Sequence, residues 1–482
     1  MKFPQIHLLD RSSRHQFLAV IVINFATTST SMFMGWLAPN IPQLLTTDTP
    51  VGEEPMSDDE ISWLSSIGSL MPLIILPIAA WALERFGRKI TGCFMALPIT
   101  LSWLMALFAQ NFWQLLISRI LGGVSLALMG AVIPVYIAEI SDQSTRGPLG
   151  SLFAFSMNLG PLISLIFGAT LTYRQAGICG MILPPIFIAI FGFMPESPIY
   201  LLRKGKVAEA RKSLMWLRSC DKTTVERELS QLQQSLQEIV ESTKTPTLKD
   251  LFRDRATIKA FIIASGLFIG QHVTGYTIVV TYATLMFKLA KSSLSPNAAA
   301  IVIAVIQIFG SWLSTMTINL TGRRSIIMIS CVGMGICHLI FGTFFLLMNR
   351  NVDVESFSWL PLVALSAYAI SYSMGIGPAA YVVATEIFSP DIASLGTSIS
   401  MMLLWSASFV TAKLFPLISS RYGSYTSFYI LVAFCASTCI FTFILVPETK
   451  GRSTQSIVEE LNGKKTRNDH PNLDEGNCTT KV

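Results

Sequence analysis

Residues 84–89 read ERFGRK, and residues 319–324 read NLTGRR. Each follows a long apolar stretch and places a glycine just before basic residues. Two further landmarks repeat in the same order. AEISDQSTRG carries Glu139 and ATEIFSPDIA carries Glu386, while PESP begins at Pro195 and PETKGR at Pro447. The offsets are 235, 247 and 252 residues. Matched landmarks at a near-constant offset indicate a duplicated unit.

The text between these landmarks is apolar. Of 482 residues, 51% are apolar and 13% charged, against about 25% charged in soluble domains. So long a chain with so little charge needs a bilayer as solvent for most of its length. A span takes roughly 20 apolar residues. Twelve are expected, at 17–38, 61–82, 90–109, 112–136, 149–172, 177–194, 258–287, 297–320, 325–348, 359–385, 394–418 and 424–446. The seventh and tenth are long, as if broken or tilted. The expected fold is an all-α membrane protein with twelve transmembrane helices in two six-helix halves. Its segments are an N-terminus at 1–16, a first half at 17–194, a polar middle at 195–257, a second half at 258–446 and a tail at 447–482. In the middle, KGKVAEARKSLMWLR and TVERELSQLQQSLQEIV carry apolar residues at helical spacing. They read as short amphipathic helices bracing the halves, or as a solvated linker.

Lys and Arg concentrate on the cytoplasmic side. With the N-terminus inside, 28 fall in internal segments and five in external ones; without the long middle the split is 15 to 5. Both termini are therefore expected in the cytoplasm, and the first external loop is acidic, from Asp48 to Glu60. The polar first sixteen residues give no sign of a cleaved signal peptide. The net charge of +6 lies in loops between spans, so it is no nucleic-acid signal. Six of eight cysteines fall within spans, which is not a disulfide framework. The sequons Asn319-Leu-Thr321 and Asn477-Cys-Thr479 both fall on the internal side, so neither is expected to carry glycan.

ERFGRK, Arg119 with Gly123, PVYIAEISDQSTRG at 134–147, PESPIYLL at 195–202 and VPETKGRS at 446–453 together resemble the sugar-porter branch of the major facilitator superfamily. KGKVAEARKSLMWLR, Asn158, FVTAK at 409–413 and the Ser373–Gly377 stretch look most like the insect facilitated trehalose transporters. The resemblance implies the major facilitator fold and a sugar as solute, with no cofactor and no enzymatic reaction. No metal-ligand spacing, phosphate loop or nucleophile motif stands in the sequence.

Charge at a span end invites a conformational role. Glu84, Glu139 and Glu386 lie near Arg85, Arg88 and Lys89, near Arg146, and near Arg323 and Arg324. Such clusters pair when the cytoplasmic ends close and part when they open; the alternative is that they only anchor the helices. The second cluster departs from the family, with Asn319 and Leu320 for an acid and an arginine and Ala393 for an arginine. That weakens the second half of the latch.

A sugar's hydroxyls want amides and hydroxyls, and its CH face wants an aromatic ring. The resemblance places Gln271, Thr274 and Gly275 of GQHVTGYT at the family's span-seven site, with His272 for a glutamine and Thr277 for an asparagine. Gln307 keeps an amide in span eight. Gly377 and Pro378 match in span ten and are expected to break the helix there, while Tyr381 replaces a tryptophan. Trp405 matches in span eleven; Leu404 and Ala154 replace amides, and Asn158 lies one turn from the latter. For each polar residue the alternative is interhelical hydrogen bonding. Where proton-coupled relatives pair an aspartate with Arg119, this chain has Leu37. The expectation is facilitative uniport of a sugar, trehalose or a hexose, across the plasma membrane. A non-transporting nutrient sensor and a proton-coupled symporter are the alternatives.

Overall fold

A computed structural model describes residues 11–142, 145–219, 222–242, 247–317 and 321–463. Asn319, Leu320, Asn477, Cys220 and Cys478 lie outside the described residues.

The first half contains α1 (Arg11–Gly35), α2 (Leu37–Leu44), α3 (Asp58–Phe86), α4 (Arg88–Leu107), α5 (Phe112–Ile140), α6 (Arg146–Thr170) and α7 (Tyr173–Phe191). The middle holds α8 (Pro198–Arg203), α9 (Val207–Leu217) and α10 (Lys222–Ser242). The second half contains α11 (Arg255–Val273), α12 (Tyr276–Leu289), α13 (Pro296–Thr317), α14 (Arg323–Asn349), α15 (Leu360–Met374), α16 (Ile376–Ile387), α17 (Ala393–Tyr422) and α18 (Ser424–Leu445), and α19 (Thr454–Leu461) follows it. Twelve helical stretches are long and apolar enough to cross a membrane, counting α1–α2, α11–α12 and α15–α16 as one each. Residues 11 and 463, the outermost described, therefore lie on one face, called the terminal face below.

Local chemistry fixes the ends and breaks. Ser57 and Glu60 form a capping box at the start of α3, and Thr172 and Gln175 form one at α7. The seventh stretch breaks at Gly275, whose φ of 103° is left-handed and suits glycine. The tenth breaks at Gly375, two residues before the expected Gly377. A Cβ there would meet the Ser330 Cβ at 2.2 Å, so only glycine fits. The first stretch is broken too, between α1 and α2, and no break was expected there. Pro39 and Pro42 supply no N–H to the carbonyls of Gly35 and Ala38.

The helices carry exposed Phe94, Trp81, Ile329 and Phe443 on their outer surfaces, which suits lipid. Packing differs between the two faces. Away from the terminal face, Phe33, Trp36, Trp103 and Leu64 of the first half share one buried cluster with Phe268, Tyr282 and Phe287 of the second. Nearer the terminal face, Ile23, Met129, Ile133 and Phe187 form a separate cluster of the first half. The halves share a buried cluster away from the terminal face, while nearer it the first half keeps one of its own, against which Trp405 of the second half packs.

The middle helices pack on each other through Tyr200, Leu214, Val225 and Leu229. They are tied to the first half. His15 stacks on Trp216 at 4.8 Å, and the Arg218 guanidinium reaches the Ile140 carbonyl at 3.0 Å and Asp142 at 2.8 Å. On the second half, Arg253 pairs with Asp391 at 3.2 Å, and the Ala256 N–H donates to Asn462 beyond α19.

Candidate functional site

The two broken stretches meet at mid-depth. At the α15–α16 break, Pro378 has no N–H, so the Met374 carbonyl is free for the Ser314 hydroxyl at 3.5 Å. The Gly377 carbonyl accepts from Gln271 Nε2 at 3.1 Å, and Nε2 also donates to the Tyr372 hydroxyl at 2.9 Å. At the α11–α12 break, the Thr274 carbonyl is held by His338 Nε2 at 2.9 Å and the Tyr368 hydroxyl at 3.2 Å.

Gln271, His272, Thr277 and Trp405 gather around these breaks. His272 Nδ1 lies 2.7 Å from the Thr277 hydroxyl, which lies 3.0 Å from that of Ser408; Ser408 in turn meets Ser69 of the first half at 3.0 Å. The Trp405 and His272 rings are 6.4 Å apart. Tyr276 stacks on Tyr372 at 4.3 Å. Tyr381 packs on Phe268 at 5.0 Å and remains 40% exposed, so the space beside it is open. Gln307 is buried on α13, and among the described residues no hydrogen bond joins it to Gln271. Asn158 is half-buried and donates to the Ala154 carbonyl of its own helix at 2.9 Å.

Three buried amide atoms have no hydrogen-bond partner among the described residues, Asn24 Oδ1 of α1 and two in the second half. Those two are Gln271 Oε1 and Gln307 Nε2. One is an acceptor and the other a donor. Buried polar atoms are nearly always satisfied, so each marks a place for a hydroxyl-bearing guest or water. Sequence reading missed Tyr372, Tyr276, His338 and Ser408. The two tyrosines could have been found, since a tyrosine hydroxyl in a span must find a partner.

At the terminal face the charges sort by half. The Arg88 guanidinium is buried, 2.8 Å from Glu139 and 3.6 Å from Glu84. Arg203 reaches Glu84 at 3.1 Å. Arg323 pairs with Glu386 at 3.1 Å even though Ala393 and the family's missing groups leave that cluster thinner. Glu196 of PESP accepts from the N–H groups of Arg88 at 3.1 Å and Lys89 at 3.0 Å, and Glu448 of PETKGR accepts from those of Arg323 at 2.8 Å and Arg324 at 3.2 Å. Each carboxyl thereby caps the helix after a glycine-arginine motif. Burial pushes the Glu196 carboxyl above its usual range, against the opposing pull of these N–H groups and Arg88. Arg85 is exposed and offers its carbonyl to Tyr200. Arg324 also lies over the Phe443 ring at 5.3 Å. Arg146 is exposed, and Glu139 pairs with Arg88 instead.

Arg119 is buried near the other face. Its Nε and Nη1 donate to the carbonyls of Leu64 at 3.0 Å and Phe33 at 2.9 Å. Leu37, where a coupling acid would stand, is buried in the apolar cluster.

Comparison with known proteins agrees with this architecture. The family described as "Sugar (and other) transporter" matches residues 16–461. The facilitated trehalose transporter Tret1 of Polypedilum vanderplanki is 30% identical over 455 residues, covering 94% of this chain and 89% of that one. The Tret1 of Apis mellifera ligustica is 31% identical over 449 residues, covering 93% and 88%. Among solved structures, the xylose transporter XylE of E. coli in a partially occluded inward-open conformation superposes with a TM-score of 0.76 at 20% identity, covering 91% of this chain and 99% of that one; this likeness speaks for the fold. The chain belongs to the sugar (and other) transporter family.

Proposed function

We propose that this protein is a facilitative transporter of a sugar, with trehalose the first candidate, working by alternating access in the plasma membrane. The carrying observation is the orphaned buried Gln271 Oε1 where the two helix breaks meet, with a second orphaned amide atom, Gln307 Nε2, on α13. In this reading Gln271, His272, Thr277, Gln307, Trp405, Tyr381 and Asn158 line the path of the solute. The basic-residue split supports placing the terminal face, with 1–16, 195–257 and 447–482, in the cytoplasm. The trehalose relatives support the solute class.

The charge clusters then serve the cycle. Glu84, Arg85, Arg88, Lys89, Glu139 and Arg146 act in the first half, and Arg323, Arg324 and Glu386 in the second. Their ion pairs stay within one half in this conformation, and cross-half contacts among them favour closure of the cytoplasmic side. Arg119 spends two of its donors on carbonyls, which ties α5 to α1 and α3. Arg119 bonds to carbonyls and His272 to a hydroxyl, with no carboxylate partner among the described residues, which argues for uniport over proton coupling. Uptake of labelled trehalose, glucose and polyols by oocytes expressing the protein tests the reading. Saturable uptake of one of them supports it, and none for any solute at normal surface expression would leave the sensor reading in its place.

A further inference from the structure

Lys413 lies inside α17, nine residues before its end at Tyr422. A charge in a span is expensive unless it is partnered or reaches water. A lysine that merely snorkels keeps its ammonium in water. Here the side chain is only 16% exposed, and its partners are all on α3 of the opposite half. Nζ lies 2.7 Å from Asp59 Oδ1, 2.7 Å from the Ser62 hydroxyl and 4.1 Å from the centre of the Trp63 ring. The Ser62 hydroxyl gives its own proton to the Asp59 carbonyl at 2.6 Å, so it accepts from the ammonium. Trp63 also packs on Phe409, one turn before Lys413.

These contacts continue along one stripe of α3. Asp59, Ser62, Ser66 and Ser69 share a face by helical spacing, and Ser69 meets Ser408 of α17. The stripe forms the seam between the halves away from the terminal face. The ion pairs Arg88–Glu139 and Arg323–Glu386 at the terminal face each stay within one half, whereas Lys413–Asp59 joins the two. Neighbouring Glu60 is engaged by Ser57.

We propose that Lys413 is a positioning residue of the transport cycle: its ammonium, clamped by Asp59, Ser62 and Trp63, holds the outer seam between α3 and α17 shut. This rests on the transport reading and its orientation above. For the cavity to open outward, α3 and α17 must part and Lys413 must give up three partners at once. Asp59 is already 62% exposed and is readily hydrated when released. The clamp therefore biases the two states without freezing the protein in one.

The test needs no sugar. Ser66 is fully buried in the seam, so in a Ser66→Cys reporter the thiol meets a membrane-impermeant maleimide added outside intact cells only when the seam opens. The labelling rate is taken above that of the protein without the reporter. Lys413→Met should raise it about fivefold, the value of one partly buried ion pair with a cation–π contact. Asp59→Asn, which leaves α17 untouched, should raise it too. The exchange Asp59→Lys with Lys413→Asp should return it to within about twofold of the reporter alone. Unchanged labelling in Lys413→Met or Asp59→Asn would overturn the proposal, as would an exchange variant that labels as fast as the single ones. Absence of sugar uptake in the parent would count against the transport reading and leave the labelling result standing.

Discussion

Gln271 Nε2 sits 2.9 Å from the Tyr372 hydroxyl, and the same amide leaves its oxygen buried without a partner. Tyr372 and the Gly377 carbonyl together hold the amide nitrogen, and in the proposed function its oxygen accepts from a solute hydroxyl. Gln271→Ala should lower uptake efficiency by roughly tenfold, since a solute hydrogen bond and its orientation are both lost. Tyr372→Phe should cost about threefold, because it removes one of the two bonds that orient the amide. Surface biotinylation must show normal expression for both. Equal kinetics for Gln271→Ala and the parent would remove Gln271 from the solute path.

Gly275 carries the break between α11 and α12 at φ 103°, and a Cβ there would lie 3.0 Å from His338 Nε2. Gly275→Ala therefore meets backbone strain of about 1–2 kcal/mol and crowds the ring that holds the Thr274 carbonyl. Transport by this variant should be slower at saturating sugar while the protein still reaches the surface. Parent-like maximal rates would show that the break tolerates a side chain.

The two charge clusters differ in burial, which sets the cost of breaking each. The side chains of Arg88 and Glu139 are 3% and 11% exposed, against 12% and 29% for Arg323 and Glu386. Glu139→Gln leaves a buried guanidinium with the Leu83 carbonyl and, as its one carboxylate among the described residues, the more distant Glu84, and should cost about 3 kcal/mol. Glu386→Gln should cost less. Melting in detergent checks the order; a larger drop for Glu386→Gln would contradict it.

Much of this was legible because bilayer solvation writes itself into composition. Twelve apolar stretches, their duplication and the excess length of the seventh and tenth all follow from hydropathy and landmark spacing. The break in the first stretch was not foreseen, because Pro39 and Pro42 read as the loop after a span. The tail helix α19 was missed because TQSIVEEL is short and follows glycine and basic residues. Gln271, His272, Thr277 and Trp405 do converge, whereas Asn158 bonds only within its own helix in this conformation. The Lys413–Asp59 contact was invisible for a physical reason. The partners are 354 residues apart, and neither helix's pattern says which neighbour it faces.

Sidedness has its own check. Asn319 and Asn477 sit in sequons that the proposed orientation puts in the cytoplasm. The protein should migrate identically before and after glycosidase treatment. A shift abolished by Asn477→Gln would place the tail outside and undo the twelve-span topology.

The most direct test of the whole account is sugar flux in proteoliposomes containing the purified protein, with trehalose and glucose as labelled solutes. Uniport through a site without a coupling acid predicts saturable entry that stops when internal and external concentrations are equal, unaffected by an imposed proton gradient. Accumulation above the external concentration that a protonophore abolishes would contradict it.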